Sequence, residues 1–151
     1  MRTVNQLLQT KANNFNTIEP GLVVIEALNI LSSLNISYLV VMQNGAYQGI
    51  FSEKDYCRNV ILKGLTSNHA LVKEVMTTDF PVVSKDDTIE HCISKLLSYK
   101  TRYLLVFEDE KFIGVITIHD LLRQVLTNKE EVFDRTLAAS LLENEERCLV
   151  Y

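Results

Sequence analysis

The sequence contains little of several residue types, and each shortage argues against a class of protein. Its 151 residues include no tryptophan, two prolines, five glycines and three cysteines. Cys57, Cys92 and Cys148 are far apart and odd in number, which argues against a disulfide framework and against a CxxC zinc site. No apolar run approaches the roughly 18 residues that cross a bilayer, and the first residues lack the apolar core of a signal peptide. We therefore expect a cytoplasmic protein with no metal site and no membrane partner.

Charge and hydropathy place the chain among globular proteins. It is 47% hydrophobic and 23% charged, a composition that folds into a packed core rather than remaining disordered. The net charge is −4, whereas a protein that binds nucleic-acid phosphates is normally basic. We therefore expect no nucleic-acid partner. The length suits one ordinary domain, or two small ones that share a core.

The dominant feature of the chain is a segment that occurs twice. Gly49–Asp55 and Gly114–Asp120 lie 65 positions apart, and each runs from a glycine through apolar residues to a hydroxyl residue, with an aspartate three positions later. Three further pairs keep the same residue at this offset: Phe15 and Phe80, Tyr38 and Tyr103, and Arg58 and Arg123. A repeat without gaps over this length indicates duplication of an ancestral half.

Periodicity predicts the same order of elements in both halves, namely strand, helix, strand, strand, helix. The first half is predicted to comprise strand 16–18, helix 22–34, strands 37–42 and 47–51, and a helix from 52 to about 63. The second half is predicted to comprise strand 82–84, a helix with its apolar stripe over 89–99, strands 102–107 and 112–116, and a helix from 117 to about 127. Short helices at 4–8 and 71–76 precede the two halves.

One such half has a three-stranded sheet with one bare face and buries too little surface alone. We therefore expect an α/β (α+β) fold in which tandem β-α-β-β-α repeats pack through their sheets about a pseudo-twofold axis and leave two related clefts. The expected domains are 1–65, 66–128 and a C-terminal helical extension at 129–151. The extension has an apolar stripe that either covers its own domain or contacts a second chain: Val132, Leu137, Ala138, Leu141 and Leu142.

The Ser/Thr-x-x-Asp pattern at the end of each repeated segment has two interpretations. It is a helix capping box, in which Ser52 or Thr117 caps the backbone and the aspartate reaches back. It also suits a nucleotide, because Asp55 or Asp120 can accept hydrogen bonds from both hydroxyls of a ribose. The hydroxyl residue and the first N–H groups of the helix would then bind phosphate oxygens.

An arginine follows each aspartate by one helical turn, at Arg58 and Arg123. It would either form an ordinary helix-surface ion pair or bind a phosphate through charge-assisted bonds. A further interpretation uses Asp55 and Asp120 as acid and base of a nucleotide hydrolase. No nucleophile with an adjacent base accompanies them in the sequence, so we expect no enzyme activity.

With these two segments the chain resembles a paired CBS domain (cystathionine β-synthase domain) of the small stand-alone type, over roughly residues 3–127. Residues 72–77 and 83–89 also resemble the opening of the family's second repeat. Members bind adenosine derivatives such as AMP, ATP, S-adenosylmethionine or NADH and commonly form dimers. The resemblance implies a regulatory module that senses an adenine nucleotide, AMP foremost, with no required cofactor. It also implies a homodimer and a regulated partner protein.

The resemblance assigns ribose binding to Asp55 and Asp120. Its candidates for phosphate are Ser52, Thr117, Arg58, Arg102 and Arg123. Its candidates for the base pocket are Thr17, Ile18, Ser37, Tyr38, Val83, Ser84 and Tyr103.

Two features of these assignments leave alternatives open. Tyr38 and Tyr103 also suit core packing with a bonded hydroxyl. Ser37 stands where the second repeat has Arg102, so the two sites are expected to differ in affinity. The alternative function is a ligand-free dimerisation scaffold that docks on another protein.

Overall fold

The computed structural model describes residues 2–11, 15–127, 140, 141 and 143. Its helices are α1 Val4–Thr10, α2 Val24–Leu34, α3 Glu53–Asp55, α4 Val72–Val75, α5 Ile89–Tyr99 and α6 Ile118–Thr127, with a π-helix at Tyr56–Ile61. Its strands are β1 Thr17–Ile18, β2 Tyr38–Gln43, β3 Ala46–Ser52, β4 Val82–Ser84, β5 Tyr103–Glu108 and β6 Lys111–Thr117. None of the helices described is both long enough and apolar enough to span a bilayer.

The strands form two three-stranded sheets, β1-β2-β3 and β4-β5-β6, with the same topology. In each sheet the first strand runs parallel to the second, which continues into an antiparallel hairpin. The register is also the same, since Tyr38 lies opposite Ser52 and Tyr103 lies opposite Thr117. The predicted α/β fold with a repeated β-α-β-β-α order is therefore confirmed.

The chain divides into two compact units whose boundaries differ from those of the sequence repeats. Unit 1 comprises Met1–Asn13 and Phe80–Tyr151, and unit 2 comprises Asn14–Asp79. Each unit thus combines the sheet of one repeat with the short helix that precedes the other, because α1 belongs to unit 1 and α4 to unit 2. The repeat boundaries and the pseudo-twofold packing stay predictions.

The two short helices contribute to the cores of these units. Val4 and Leu7 of α1 are buried in the apolar core of unit 1, and Val72 and Val75 of α4 are buried in that of unit 2. Leu141 also lies in the core of unit 1, which favours the interpretation that this part of the extension covers its own domain. The other residues of the predicted C-terminal stripe lie outside the described residues.

The predicted helix from 52 to about 63 is not a regular α-helix. After the single turn of α3 the chain continues as a π-helix, and Leu62 N–H donates to the Cys57 carbonyl five residues earlier, at 3.2 Å. Asn59 Nδ2 donates to the Val75 carbonyl at 2.9 Å, so a contact outside the helix holds this segment. The counterpart α6 is an ordinary α-helix.

The apolar stripes of α2 and α5 are shorter than predicted. Helical spacing places Leu34 with the apolar residues of 22–34 and Tyr99 with those of 89–99, but Leu34 is 50% exposed and Tyr99 is 62% exposed, so neither belongs to the buried face. Each is the last residue of its helix and precedes a left-handed residue, Asn35 or Lys100. The chain turns away there, before the side chain can reach the core.

Candidate functional site

Both repeated segments fold as the end of a strand followed by the first turn of a helix. β3 ends at Ser52 and β6 ends at Thr117, each directly before its helix. In both units the aspartate accepts hydrogen bonds from the backbone N–H and the hydroxyl of that strand-end residue. The capping box is therefore formed twice, and it fixes the position of each carboxylate.

Asp55 is enclosed within unit 2. Its Oδ2 accepts from Ser52 N–H at 2.9 Å and from Ser52 Oγ at 3.0 Å, and its Oδ1 accepts from the Thr77 hydroxyl. The residue is only 5% exposed. Burial raises the pKa of this carboxyl, and the hydrogen bonds from Thr77 and Ser52 and the charge of Lys54 oppose that rise. Because the residue is buried and both of its oxygens already accept hydrogen bonds, Asp55 is poorly accessible to a ligand hydroxyl.

Asp120 in unit 1 is more open. Thr117 N–H at 2.8 Å, Thr117 Oγ1 at 3.0 Å and Lys11 Nζ at 2.8 Å all donate to its Oδ2. No donor among the described residues reaches its Oδ1. The side chain is 16% exposed, so this oxygen is positioned to accept a hydrogen bond from a ligand.

Lys11 and Thr77 contact the aspartates, and sequence reasoning missed both. Lys11 follows α1, and its Nζ donates to the Val115 carbonyl at 2.9 Å as well as to Asp120. Lys11 and Thr77 each lie just beyond the end of a short helix, α1 or α4, and far in sequence from the aspartate that they contact. The signal available was a break in the repeat, because the counterpart of Lys11 is Met76 and that of Thr77 is Ala12.

Arg102 lies beside the turn that carries Asp120. Its carbonyl accepts a hydrogen bond from Ile118 N–H, the first residue of α6, at 3.0 Å. Its side-chain Nε and Nη2 are buried and have no hydrogen-bond partner within the described part of the chain. Buried charged donors without an acceptor are unfavourable, so this guanidinium is suited to an anionic ligand. The counterpart Ser37 is exposed and uncharged.

The arginine that follows each aspartate by one helical turn lies at the surface. Arg58 and Arg123 are exposed, and the carboxylate of Asp55 bonds Ser52 and Thr77 rather than Arg58. Their proposed phosphate contacts stay predictions.

The residues predicted for the base pocket divide into two groups. Ile18 and Val83 are buried in the cores of units 2 and 1, and Tyr103 is 9% exposed with an edge contact to Phe80, the ring centroids being 5.9 Å apart. This packing favours the core interpretation of Tyr103. The remaining members of the set are half-buried or exposed: Thr17, Ser37, Tyr38 and Ser84. Contact of this set with a base stays a prediction.

The described residues hold no metal cluster, and the buried Cys92 is not an activated thiol. No three His, Cys, Asp or Glu side chains in these ranges are grouped so as to hold a metal ion. Cys92 is buried, and burial raises the pKa of its thiol to about 12. It therefore remains protonated at neutral pH and is a poor nucleophile.

Sequence comparison identifies relatives of the chain. The sequence model of the CBS domain matches residues 8–61 and 72–127. The CBS domain-containing protein CBSX3, mitochondrial, of Arabidopsis thaliana is 27% identical over 117 residues, which are 74% of this chain and 57% of that protein. The chain therefore spans little more than half the length of this relative.

Solved structures of CBS-domain proteins are also similar to this chain. A CBS-domain containing protein from Agrobacterium tumefaciens has a TM-score of 0.75 and 26% identity, over 82% of this chain and 99% of that one. The structure of CBSX2 in complex with AMP has a TM-score of 0.72 and 27% identity, over 86% and 100% of the two chains.

The resemblance inferred from the two repeated segments is thus confirmed. Both family matches contain one of these segments, and each of the two sheets has the strand order predicted for a repeat. The chain belongs to the CBS domain family, of which it carries a tandem pair.

Proposed function

We propose that the chain is a regulatory module, without catalysis of its own, that binds an adenine nucleotide such as AMP at the Thr117–Asp120 turn of unit 1. The observation that carries the proposal is Arg102, whose buried Nε and Nη2 have no partner among the described residues. A phosphate would supply the missing acceptors through charge-assisted hydrogen bonds. The AMP complex of CBSX2, at 27% identity, supports the choice of ligand.

Each part of the nucleotide has a candidate partner in unit 1. The ribose hydroxyls would donate to Asp120 Oδ1, which is open. The phosphate would accept from Arg102, which lies beside the first turn of α6, where the helix dipole favours an anion. Asp55 is buried and already accepts from Thr77 as well as from Ser52, so the unit 2 site would be the weaker.

A ligand regulates by binding one state of the protein more tightly than another. The states it would bias are the packing of the two units, a homodimer, or a complex with a regulated partner protein. No cofactor is required for this role. ATP, NADH and S-adenosylmethionine are the other ligands that the family resemblance implies.

Isothermal titration with AMP tests the site. Asparagine keeps the shape of aspartate and one acceptor oxygen, but lacks the charge and the second acceptor. Hydrogen bonds to charged groups contribute about 1.5–3 kcal/mol, so Asp120→Asn should weaken AMP binding about tenfold or more. Adding Asp55→Asn should remove what binding remains, with the circular dichroism spectrum unchanged.

The exposed Asp86 offers a matched control, since Asp86→Asn removes the same charge outside the capping box. It should leave the affinity for AMP unaltered. Equal affinities of the wild type and the double variant would refute the site assignment.

A ligand-free interaction scaffold is the second candidate, and one observation favours it. Ile61, Leu62 and Leu65 are 54%, 79% and 43% exposed, and neighbouring exposed apolar side chains are typical of interaction surfaces. Thermal unfolding with AMP, ATP, NADH and S-adenosylmethionine discriminates between the candidates, because a specific ligand must raise the melting temperature by mass action. No shift with any of the four would favour the scaffold.

A further inference from the structure

The two capping boxes differ most in the charged groups around them. In unit 1 the positive Lys11 contacts the negative Asp120, and beside the turn lies the positive Arg102, whose Nε and Nη2 have no hydrogen-bond partner among the described residues. The two residues between Thr117 and Asp120, an isoleucine and a histidine, add no formal charge when the histidine is neutral. The surroundings of Asp120 thus have a net charge of about +1 by this count of ionised groups.

The same positions in unit 2 have the opposite balance. The counterparts of Lys11 and Arg102 are the uncharged Met76 and Ser37, while Asp55 keeps its negative charge. The two residues between Ser52 and Asp55 are a glutamate and a lysine, both exposed, whose charges cancel. By the same count, the groups around the Ser52–Asp55 turn have a net charge of about −1, which is unfavourable for an anionic ligand.

We propose, on the basis of the function above, that Lys11 is a specificity-determining residue that makes the unit 1 site selective for adenosine ligands carrying a phosphate. A lysine ammonium has three N–H donors. One donates to the Val115 carbonyl and one to Asp120 Oδ2. No acceptor in the described part of the chain takes the third, which leaves it for a ligand oxygen, and 25% of the side chain is exposed.

This arrangement lets Lys11 act without leaving Asp120. The three donors that the described residues supply to the carboxylate all fall on Oδ2, so Oδ1 accepts the ribose hydroxyl while the ion pair stays intact. By neutralising Asp120, Lys11 also removes the repulsion that a carboxylate would exert on a nearby phosphate. A ligand without a phosphate gains nothing from this neutralisation.

The test is to titrate AMP and adenosine into the wild type and Lys11→Met, which installs the residue that unit 2 has at this position. The wild type should bind AMP at least about tenfold tighter than adenosine, in line with one charge-assisted contact. Lys11→Met should bring the two affinities close together by weakening AMP alone. Lys11→Gln serves as a second uncharged variant if the methionine disturbs folding, and Lys11→Arg should restore most of the selectivity.

Lys73→Met is the matched control, because it removes the same charge from the chain at an exposed position of α4. It should leave the AMP-to-adenosine ratio as in the wild type. Equal weakening of AMP and adenosine by Lys11→Met would mean that Lys11 only orients Asp120, and an unchanged ratio would mean that it takes no part. Either result overturns the proposal while the nucleotide site stands, whereas a wild type that binds neither ligand overturns both.

Discussion

Gly49 and Gly114 occupy equivalent positions in the repeat but have different neighbours. A Cβ added at Gly49 would lie 2.9 Å from the Thr77 carbonyl oxygen and 2.9 Å from Met76 Sδ. The Thr77 backbone is held there by two 2.9 Å hydrogen bonds with Ile50. A Cβ added at Gly114 would meet only Leu8 Cδ2, at 3.4 Å. Glycine is therefore required at position 49 because the backbone of Thr77, in the same chain, lies too close for a Cβ.

Gly49→Ala should destabilise the protein strongly, and Gly114→Ala should not. The first change forces a backbone shift or an overpacked contact, which costs about 1–3 kcal/mol. The second adds an ordinary van der Waals contact and reduces the entropy of the unfolded chain, so its effect should stay within about 1 kcal/mol. Urea denaturation of the two variants measures the difference. Equal losses of unfolding free energy would contradict this explanation of Gly49.

At the scale of single residues, the candidate site could be predicted from the sequence only in part. The capping boxes at Ser52 and Thr117 depend on contacts three residues apart, which a local pattern reveals. Lys11 reaches Asp120 across 109 positions, and the bond from Thr77 to Asp55 also depends on which short helix joins which unit. No local spacing contains that information, so these two partners became apparent only from the fold.

At the scale of elements, the two long helices end in the same way with different residues. Asn35 and Lys100 both adopt the left-handed conformation, with φ of 52° and 50°. Each helix then closes with N–H groups bonded back to carbonyls of the last turn. Asparagine tolerates this conformation, whereas lysine has a steric penalty there.

Lys100→Gly should therefore raise the free energy of unfolding by about 0.5–1 kcal/mol. The estimate allows for the lost attraction between a lysine and the helix C-terminus and for the greater freedom of glycine in the unfolded chain. Asn35→Gly is the matched variant at the equivalent position and should change stability less. Thermal unfolding of both proteins measures this. A larger gain from Asn35→Gly than from Lys100→Gly would contradict the argument.

Elements with strong local signals were predicted well. Asn44 and Gly45 both have positive φ in the turn between β2 and β3, as an Asn-Gly pair favours. The π-helix was not predictable, because its bond from Asn59 to Val75 depends on where α4 packs. The exposure of Leu34 and Tyr99 likewise depends on where the chain leaves the helix, which apolar spacing does not encode.

At the scale of the whole chain, one unit is continuous and the other is not. Unit 2 is the single stretch Asn14–Asp79, whereas unit 1 requires Met1–Asn13 in addition to Phe80–Tyr151. The duplication is visible in the sequence as an offset of 65, but it does not show that the short helices are exchanged between units. Folding in isolation should therefore follow the boundaries of the units and not those of the repeats.

Two fragments of nearly equal length distinguish these boundaries. Residues 14–79 contain every buried residue of the unit 2 core, whereas residues 1–65 lack Ala70, Val72 and Val75. Burying a valine side chain contributes about 1.5–3 kcal/mol, so fragment 1–65 should lose about 3 kcal/mol or more. It also lacks Thr77, the partner of Asp55. Circular dichroism should show cooperative urea unfolding for 14–79 and a weak or absent transition for 1–65. If 1–65 were the more stable fragment, the sequence repeat would itself be the folding unit, and α4 would have little part in the core of unit 2.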